Sequence, residues 1–454
     1  MRSRRSLLIR SAALVMAVML CAALFSACKL RDDNKPEDSA KPTGEVGSEP
    51  IPVTTVVMRS KNADLTLYDF GQGFYNSQFF MYYMYGLIDP GQFCDSVIEE
   101  LSGFLYALNA AIDSGVELTD EEKEEISHTI DDQFEELLDR YEEAVEGDVE
   151  DKRAAARALL EEDLEADGIN YDKFMELAEN NMRLYYIVTK YYQELESNIE
   201  VQDDEVEDYI SEQLQASSEI TVSDLAQLLS AFNEGSGAYP VYIPDDCFTV
   251  NHIYLGYEME SDADGNEYYL PESRTADEER IEELIPTLAD YEAFMALEEE
   301  YGEDPGMDIE GYRNYGYLIH EDLVNDYFAG FVYGAMNLYY GEWTPAASED
   351  PEATEVPNST PELKEFTLQD GTKVVKVCTE SGIHYLIVNK ELKKGPVEYT
   401  VGDEYWESWR SQVVSEKLGE LSDELMETWK ETYEIDTDVY TIKLKYAPDS
   451  ADQR

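Results

Sequence analysis

Histidine, cysteine and basic residues are all scarce in this chain of 454 residues, which has four His, five Cys and 33 Lys and Arg against 100 Asp and Glu. The formal charge of −67 repels nucleic acid and anionic lipid headgroups, so neither is expected as a partner. No two cysteines have Cys-x-x-Cys spacing, which leaves no zinc or thiol-redox motif to read. No metal or cofactor is expected, and a disulfide between Cys247 and Cys378 stays open. Asp262, Asp264 and Glu267 miss the EF-hand spacing, and the segment from Glu258 to Leu270 reads as a β-hairpin. Most acidic groups punctuate apolar helical patterns and read as solvated helix faces.

Long apolar runs are also scarce. One spans Ser11 to Ala27 behind a basic start, Met1-Arg2-Ser3-Arg4-Arg5 with Arg10. It is too short for a dependable membrane span, and residues 1–27 read as a secretory signal peptide. Leu24-Phe25-Ser26-Ala27-Cys28 resembles a bacterial lipobox, which implies lipid attachment at Cys28 and a protein anchored on the extracytoplasmic face of the membrane. Residues 28–52, rich in Asp, Glu, Lys, Pro, Gly and Ser, read as a flexible tether.

The structured chain then begins with a short strand over 51–57. Helical patterns follow at 64–86, 91–113, 119–146, 151–166, 170–198 and 203–216, so 53–216 is expected to be a helical domain. Thr119 and Glu122 have capping-box spacing before an acidic first turn. Phe79-Phe80-Met81-Tyr82-Tyr83-Met84-Tyr85 is too dense for one helix face to bury; core packing and a client-binding cradle both remain open. Residues 217–246, with an amphipathic piece from Leu225 to Phe232, read as a linker. The phrase at Val116-Glu117-Leu118-Thr119-Asp120-Glu121-Glu122 recurs at Ile199-Glu200-Val201-Gln202-Asp203-Asp204-Glu205. It resembles the N-terminal helical domains of PrsA- and SurA-type extracytoplasmic foldases.

Two of the four histidines sit mid-strand at opposite ends of one segment, in Thr249-Val250-Asn251-His252-Ile253-Tyr254-Leu255 and Ser381-Gly382-Ile383-His384-Tyr385-Leu386-Ile387-Val388. Both are short β-type runs whose side chains alternate between two faces, and the two strands could lie side by side. Between them come Tyr301-Gly302-Glu303-Asp304-Pro305, a loop with Gly311 and Gly316, and Leu323, Tyr327 and Phe331 four apart on an expected single helix. The order resembles the parvulin family of peptidyl-prolyl isomerases. The resemblance implies a parvulin-like domain over 247–392 with His252, Asp304, Ser381 and His384 as catalytic residues. Tyr315, Leu323, Tyr327 and Phe331 would bind substrate. An insertion at 344–380 departs from the family; it holds an acidic, Pro-rich loop (Thr344 to Pro361) and a strand pair around Asp370-Gly371.

Residues 393–454 read as a helix with the apolar stripe Trp406, Trp409, Val413, Leu418, Leu421, Leu425 and Trp429, then a strand over Asp438 to Leu444. The expected fold is therefore α+β, with a mostly helical chaperone-like domain, a parvulin-like domain and a C-terminal helix packing back on the helical body. The expected function is a lipid-anchored foldase that binds unfolded secreted polypeptides and isomerises X-Pro bonds. A holdase with an inert parvulin domain and a surface ligand-binding or scaffold lipoprotein are the alternatives.

Overall fold

A computed structural model of the chain describes residues 51–145, 149, 151–217, 220–261, 267–323, 329–343 and 361–448. The expected signal peptide, the tether to residue 50, Cys28, Tyr327, the hairpin turn at 262–266 and most of the 344–361 loop lie outside them. The fold is α+β and forms two compact units, one from 1–199 with 418–454 and one from 200–417. The expected boundaries at 216 and 393 thus fall at 199/200 and 417/418.

In the first unit, β1 (Val56–Arg59) pairs antiparallel with β2 (Asp64–Thr66). Helices follow as α1 (Leu67–Asn76), α2 (Phe80–Met84), α3 (Pro90–Asp113), α4 (Asp120–Glu143), α5 (Lys152–Ala166) and α6 (Tyr171–Ser197). The expected single helix over 64–86 is thus a strand and two helices. Thr66 caps α1 in a reciprocal box with Asp69, and Ser77 leaves helical geometry at ψ 135°. The Thr119–Glu122 box is present, with the Thr119 N–H donating to the Glu122 carboxylate at 2.6 Å. One core gathers Ile126, Phe134, Leu160 and Phe174 from α4, α5 and α6; a second gathers Val57, Leu67, Phe70 and Phe93 around β1, α1 and α3.

The second unit opens with α7 (Asp203–Ala216) and α8 (Val222–Asn233). The stretch containing α8, expected as linker, is core: Leu225 is fully buried against Ile243, Leu318 and Leu323. Strand β3 (Tyr242–Ile243) leads to β4 (Phe248–Gly256), and the hairpin β5 (Glu258–Ser261) and β6 (Glu267–Leu270) follows. Next come α9 (Thr275–Leu284), α10 (Tyr291–Tyr301), α11 (Glu310–Tyr315), β7 (Tyr317–Ile319), α12 (Ala329–Tyr340), β8 (Leu363–Thr367), β9 (Lys373–Cys378) and β10 (Gly382–Glu391). Five of these strands make one antiparallel sheet in the order β7-β4-β10-β9-β8. The strand pair read around Asp370-Gly371 is its β8–β9 edge.

Alternation along β4 and β10 sends Ile253, Leu255, Ile383, Tyr385 and Ile387 into one core with Phe294 and Ile281. It sends Phe248, Val250 and Leu386 into another with Phe331 and Val332 of α12. Gly311 is required where α11 approaches α8, because a Cβ there would sit 1.9 Å from the Asn233 carbonyl oxygen. Cys247 and Cys378 are free, as is Cys94. Cys378 faces Ile383 and Phe248 faces Glu391, which places the two thiols at opposite ends of β10.

After β11 (Gly395–Pro396), helix α13 (Glu404–Thr432) runs into the first unit, where β12 (Asp436–Thr437) pairs with β1. The strand expected over 438–444 is instead α14 (Val439–Tyr446). Asp438 decides this: its carboxylate accepts from the Thr441 N–H at 3.1 Å and from the Thr441 hydroxyl at 2.8 Å. The cap overrides the strand preference of a Val-Tyr-Thr-Ile run, and Ile442 is buried in the β1–α3 core.

Candidate functional site

Strand register builds the site. His384 lies opposite Tyr254, and Leu386 lies opposite His252, so the two histidines are diagonal neighbours on the face that α12 covers. They are 5% and 3% exposed. Their rings are parallel within 5°, with centroids 5.2 Å apart and the two Nδ1 atoms at 3.1 Å. Phe331 presents its ring edgewise to both, at 5.1 and 5.3 Å. Tyr254 stacks on His384 at 4.8 Å.

Asp304 reaches the pair from the turn after α10. The Glu303 N–H donates to the Tyr254 carbonyl at 2.9 Å, and the Glu303 carboxylate accepts from the Gly256 N–H and from Arg274. These bonds clamp the turn against β4. One Asp304 oxygen accepts from the Gly306 N–H at 3.0 Å; the other accepts from His252 Nε2 and from the Tyr317 hydroxyl, each at 2.7 Å. Burial works to raise this carboxyl, but the His252 hydrogen bond and charge, Tyr317 and the Gly306 N–H outweigh it and hold it at about 2.

His384 Nε2 lies 3.0 Å from the Thr379 hydroxyl. Two proton arrangements satisfy this row. In one, Thr379 donates to His384, His384 to His252, and His252 to Asp304. In the other, His252 carries a second proton and donates to both Asp304 and His384, His384 donates to Thr379, and Thr379 donates to the Gly382 carbonyl at 3.2 Å. Burial, then the charge of His252, push His384 well below the ordinary histidine value, so His384 is the neutral partner.

Of the residues singled out in the sequence, His252, His384, Asp304 and Phe331 converge here. Ser381 is adjacent, but its hydroxyl meets Thr379 at 3.3 Å and no histidine, while its carbonyl accepts from the Tyr254 hydroxyl. Leu323 and Tyr315 lie elsewhere. Leu323 belongs to a short 3-10 turn, Glu321–Leu323, rather than to the helix of Phe331, and packs on Leu225. The Tyr315 hydroxyl donates to Glu404 at 2.7 Å, and its ring meets Phe232. Tyr317 and Thr379 complete the site and were not singled out. The available signal for Tyr317 is Gly316 before it, at φ 74°, where a Cβ would come 2.7 Å from the Val250 carbonyl oxygen.

Among the described residues, no group of His, Cys, Asp and Glu is placed to hold a metal ion. No helix there is long and apolar enough to cross a membrane. Comparison with protein-family models and with curated proteins finds no match for this chain.

Proposed function

We propose that the chain is an extracytoplasmic, lipid-anchored foldase whose second unit isomerises X-Pro bonds with a parvulin-like site. One observation carries this reading: a buried, mutually hydrogen-bonded histidine pair on adjacent central strands, tied to Asp304 and floored by Phe331. Rotation about an X-Pro bond meets a barrier of about 18–20 kcal/mol because the amide is conjugated. No nucleophile is needed. A cleft that strips water from the carbonyl and faces it with a few fixed polar groups disfavours the charge-separated planar form.

The histidines are too buried to grip a polypeptide themselves. They organise the half-buried groups around them, Asp304, Tyr254 and Tyr317, and those groups are the ones a bound chain would touch. Phe331, as buried as His252, backs the pair from the α12 side, and the half-buried rings of Tyr254 and Tyr317 are the apolar surface left for a proline ring. A site of this kind speeds refolding of a test protein limited by proline isomerisation; an unchanged refolding rate with the folded chain present would overturn the reading.

A second observation favours chaperone action by the first unit. Met81, Tyr82, Met84, Tyr85 and Leu87, in and just after α2, are each more than half exposed. Contiguous apolar surface of this kind marks a binding site on a soluble unit, and Met and Tyr adapt to many unfolded sequences.

A further inference from the structure

At the far end of α12 lies a cavity of about 230 Å³ lined by Asp246, His320, Glu321, Met336, Tyr340 and Trp343. Two large aromatic rings, the His320 imidazole facing Asp322, a thioether and two carboxylates share this small space. The walls are set by packing. Met336 belongs to the core of α12 and β4. Tyr340 meets Tyr339 edgewise at 4.8 Å, and Tyr339 stacks on Phe248 at 4.2 Å. Asn337 holds the main chain of Trp343 on both sides, accepting from its N–H at 3.1 Å and donating to its carbonyl at 3.3 Å.

Among the described residues, neither carboxylate is the direct ion-pair partner of a cation, although the charge of Asp246 also acts on Lys394. Asp245 takes Lys394 as its ion-pair partner; among the described residues no Lys or Arg pairs with Asp246 or Glu321. Burial raises the Tyr340 phenol, and Asp246, Cys247 and Glu321 add to the effect, so both carboxylates act on that ring. Aromatic faces and carboxylates together attract a cation, and a small concave site with an apolar wall suits the stem of a long side chain.

The pocket's position gives it a context. Helix α12 meets His252 and His384 through Phe331 and the pocket through Met336 and Tyr340; the rise from Phe331 to Tyr340 is about 13 Å at 1.5 Å per residue. Edge strand β7 makes the same connection, with Tyr317 on Asp304 at its start and His320 just past its end, about 10 Å away at 3.3 Å per residue. An extended polypeptide covers that span in three or four residues.

We propose that this pocket takes the lysine or arginine side chain of a bound polypeptide, three or four residues from the residue lying at the His252–His384 site. That the ligand is a polypeptide rests on the foldase reading; the preference for a cation rests on the pocket alone. The test uses residues 29–454 and labelled X-Pro peptides with Arg or norleucine three or four residues to either side of proline. Binding is followed by fluorescence anisotropy at low salt.

The Arg peptide in one direction is expected to bind about ten-fold more tightly than its norleucine counterpart, with the gap closing at high salt. Asp246→Asn with Glu321→Gln removes the gap. Asn tolerates the φ of 59° at residue 246, and Glu321→Gln alone, on an exposed turn, is expected to narrow the gap. Equal binding of the two peptides, or a gap that survives these substitutions, overturns the proposal. Isomerisation rates on the same peptides separate the two claims: a charge preference without isomerisation removes the enzymatic reading and keeps the pocket, and isomerisation without charge preference does the reverse.

Discussion

The Nδ1 atoms of His252 and His384 face each other at 3.1 Å, a distance that requires one of them to be bare of hydrogen. The pair therefore holds at most one positive charge, and Asp304, 2.7 Å from His252 Nε2, is the group that stabilises it. Every ring nitrogen has a partner, with Thr379 flanking the pair on one side and Asp304 on the other.

Thr379, rather than Ser381, is the hydroxyl that this row needs. Thr379→Val removes the partner of a buried ring nitrogen and is expected to cost about 1–3 kcal/mol, read from the denaturant midpoint. Ser381→Ala removes no histidine contact and is expected to cost less. A larger loss for Ser381→Ala would contradict the assignment.

The pH dependence of stability has separable limbs. His384 is held below its ordinary value of 6.5, so its neutral form stabilises the fold above about pH 6.5, and that contribution is lost as pH falls through the lower folded value. Asp304, at about 2 against an ordinary 3.8, contributes about 2 kcal/mol that is lost between roughly pH 4 and pH 2. Glu298 acts in the opposite sense. Burial raises it to about 7 despite Arg313, so its contribution is present below about pH 4 and is lost as pH rises through 7. Denaturant midpoints from pH 8 to 2 should show His384→Gln flattening the first limb, Asp304→Asn the second and Glu298→Gln the opposing one. Parallel curves for wild type and all three variants would refute these assignments.

Helix α8, within the expected linker, contributes Val222, Leu225 and Leu229 to a core. Leu225→Ala is expected to destabilise the second unit by about 2–5 kcal/mol, as for other fully buried leucines, measured by thermal or denaturant unfolding. A linker residue would show almost no change.

What could be read from the sequence is what period-two alternation reveals. Placing His252 and His384 mid-strand, with apolar residues two positions away, already puts them on buried faces, and Asp304 stands out in a Tyr-x-x-Asp-Pro turn. Tyr317 and Thr379 carry no such signal. One sits on an edge strand and the other in a turn, and only the β7–β4 register and the Thr379–Gly382 turn bring them to the row. The C-terminal helix was hidden for a local reason, because a β-favouring run follows a capping Asp438. The linker reading of 217–246 missed that Leu225 and Leu229 share a helix face that tertiary packing buries.

The exposed run after α1 gives a functional prediction for the first unit. Replacing Met81, Tyr82, Met84, Tyr85 and Leu87 together by Gln or Ser leaves both cores intact and should weaken suppression of aggregation of an unfolded test protein at least several-fold by light scattering. Undiminished suppression would move client binding away from this surface.

The measurement closest to the central claim is cis–trans isomerisation of X-Pro peptides by residues 29–454, followed by a protease-free fluorescence assay. The chain should accelerate the reaction over buffer. His384→Ala should lower the rate about ten-fold, equivalent to ~1.4 kcal/mol of transition-state stabilisation, with an unchanged circular dichroism spectrum. A folded wild-type chain that accelerates no X-Pro peptide, or a His384→Ala chain as fast as wild type, would contradict the account.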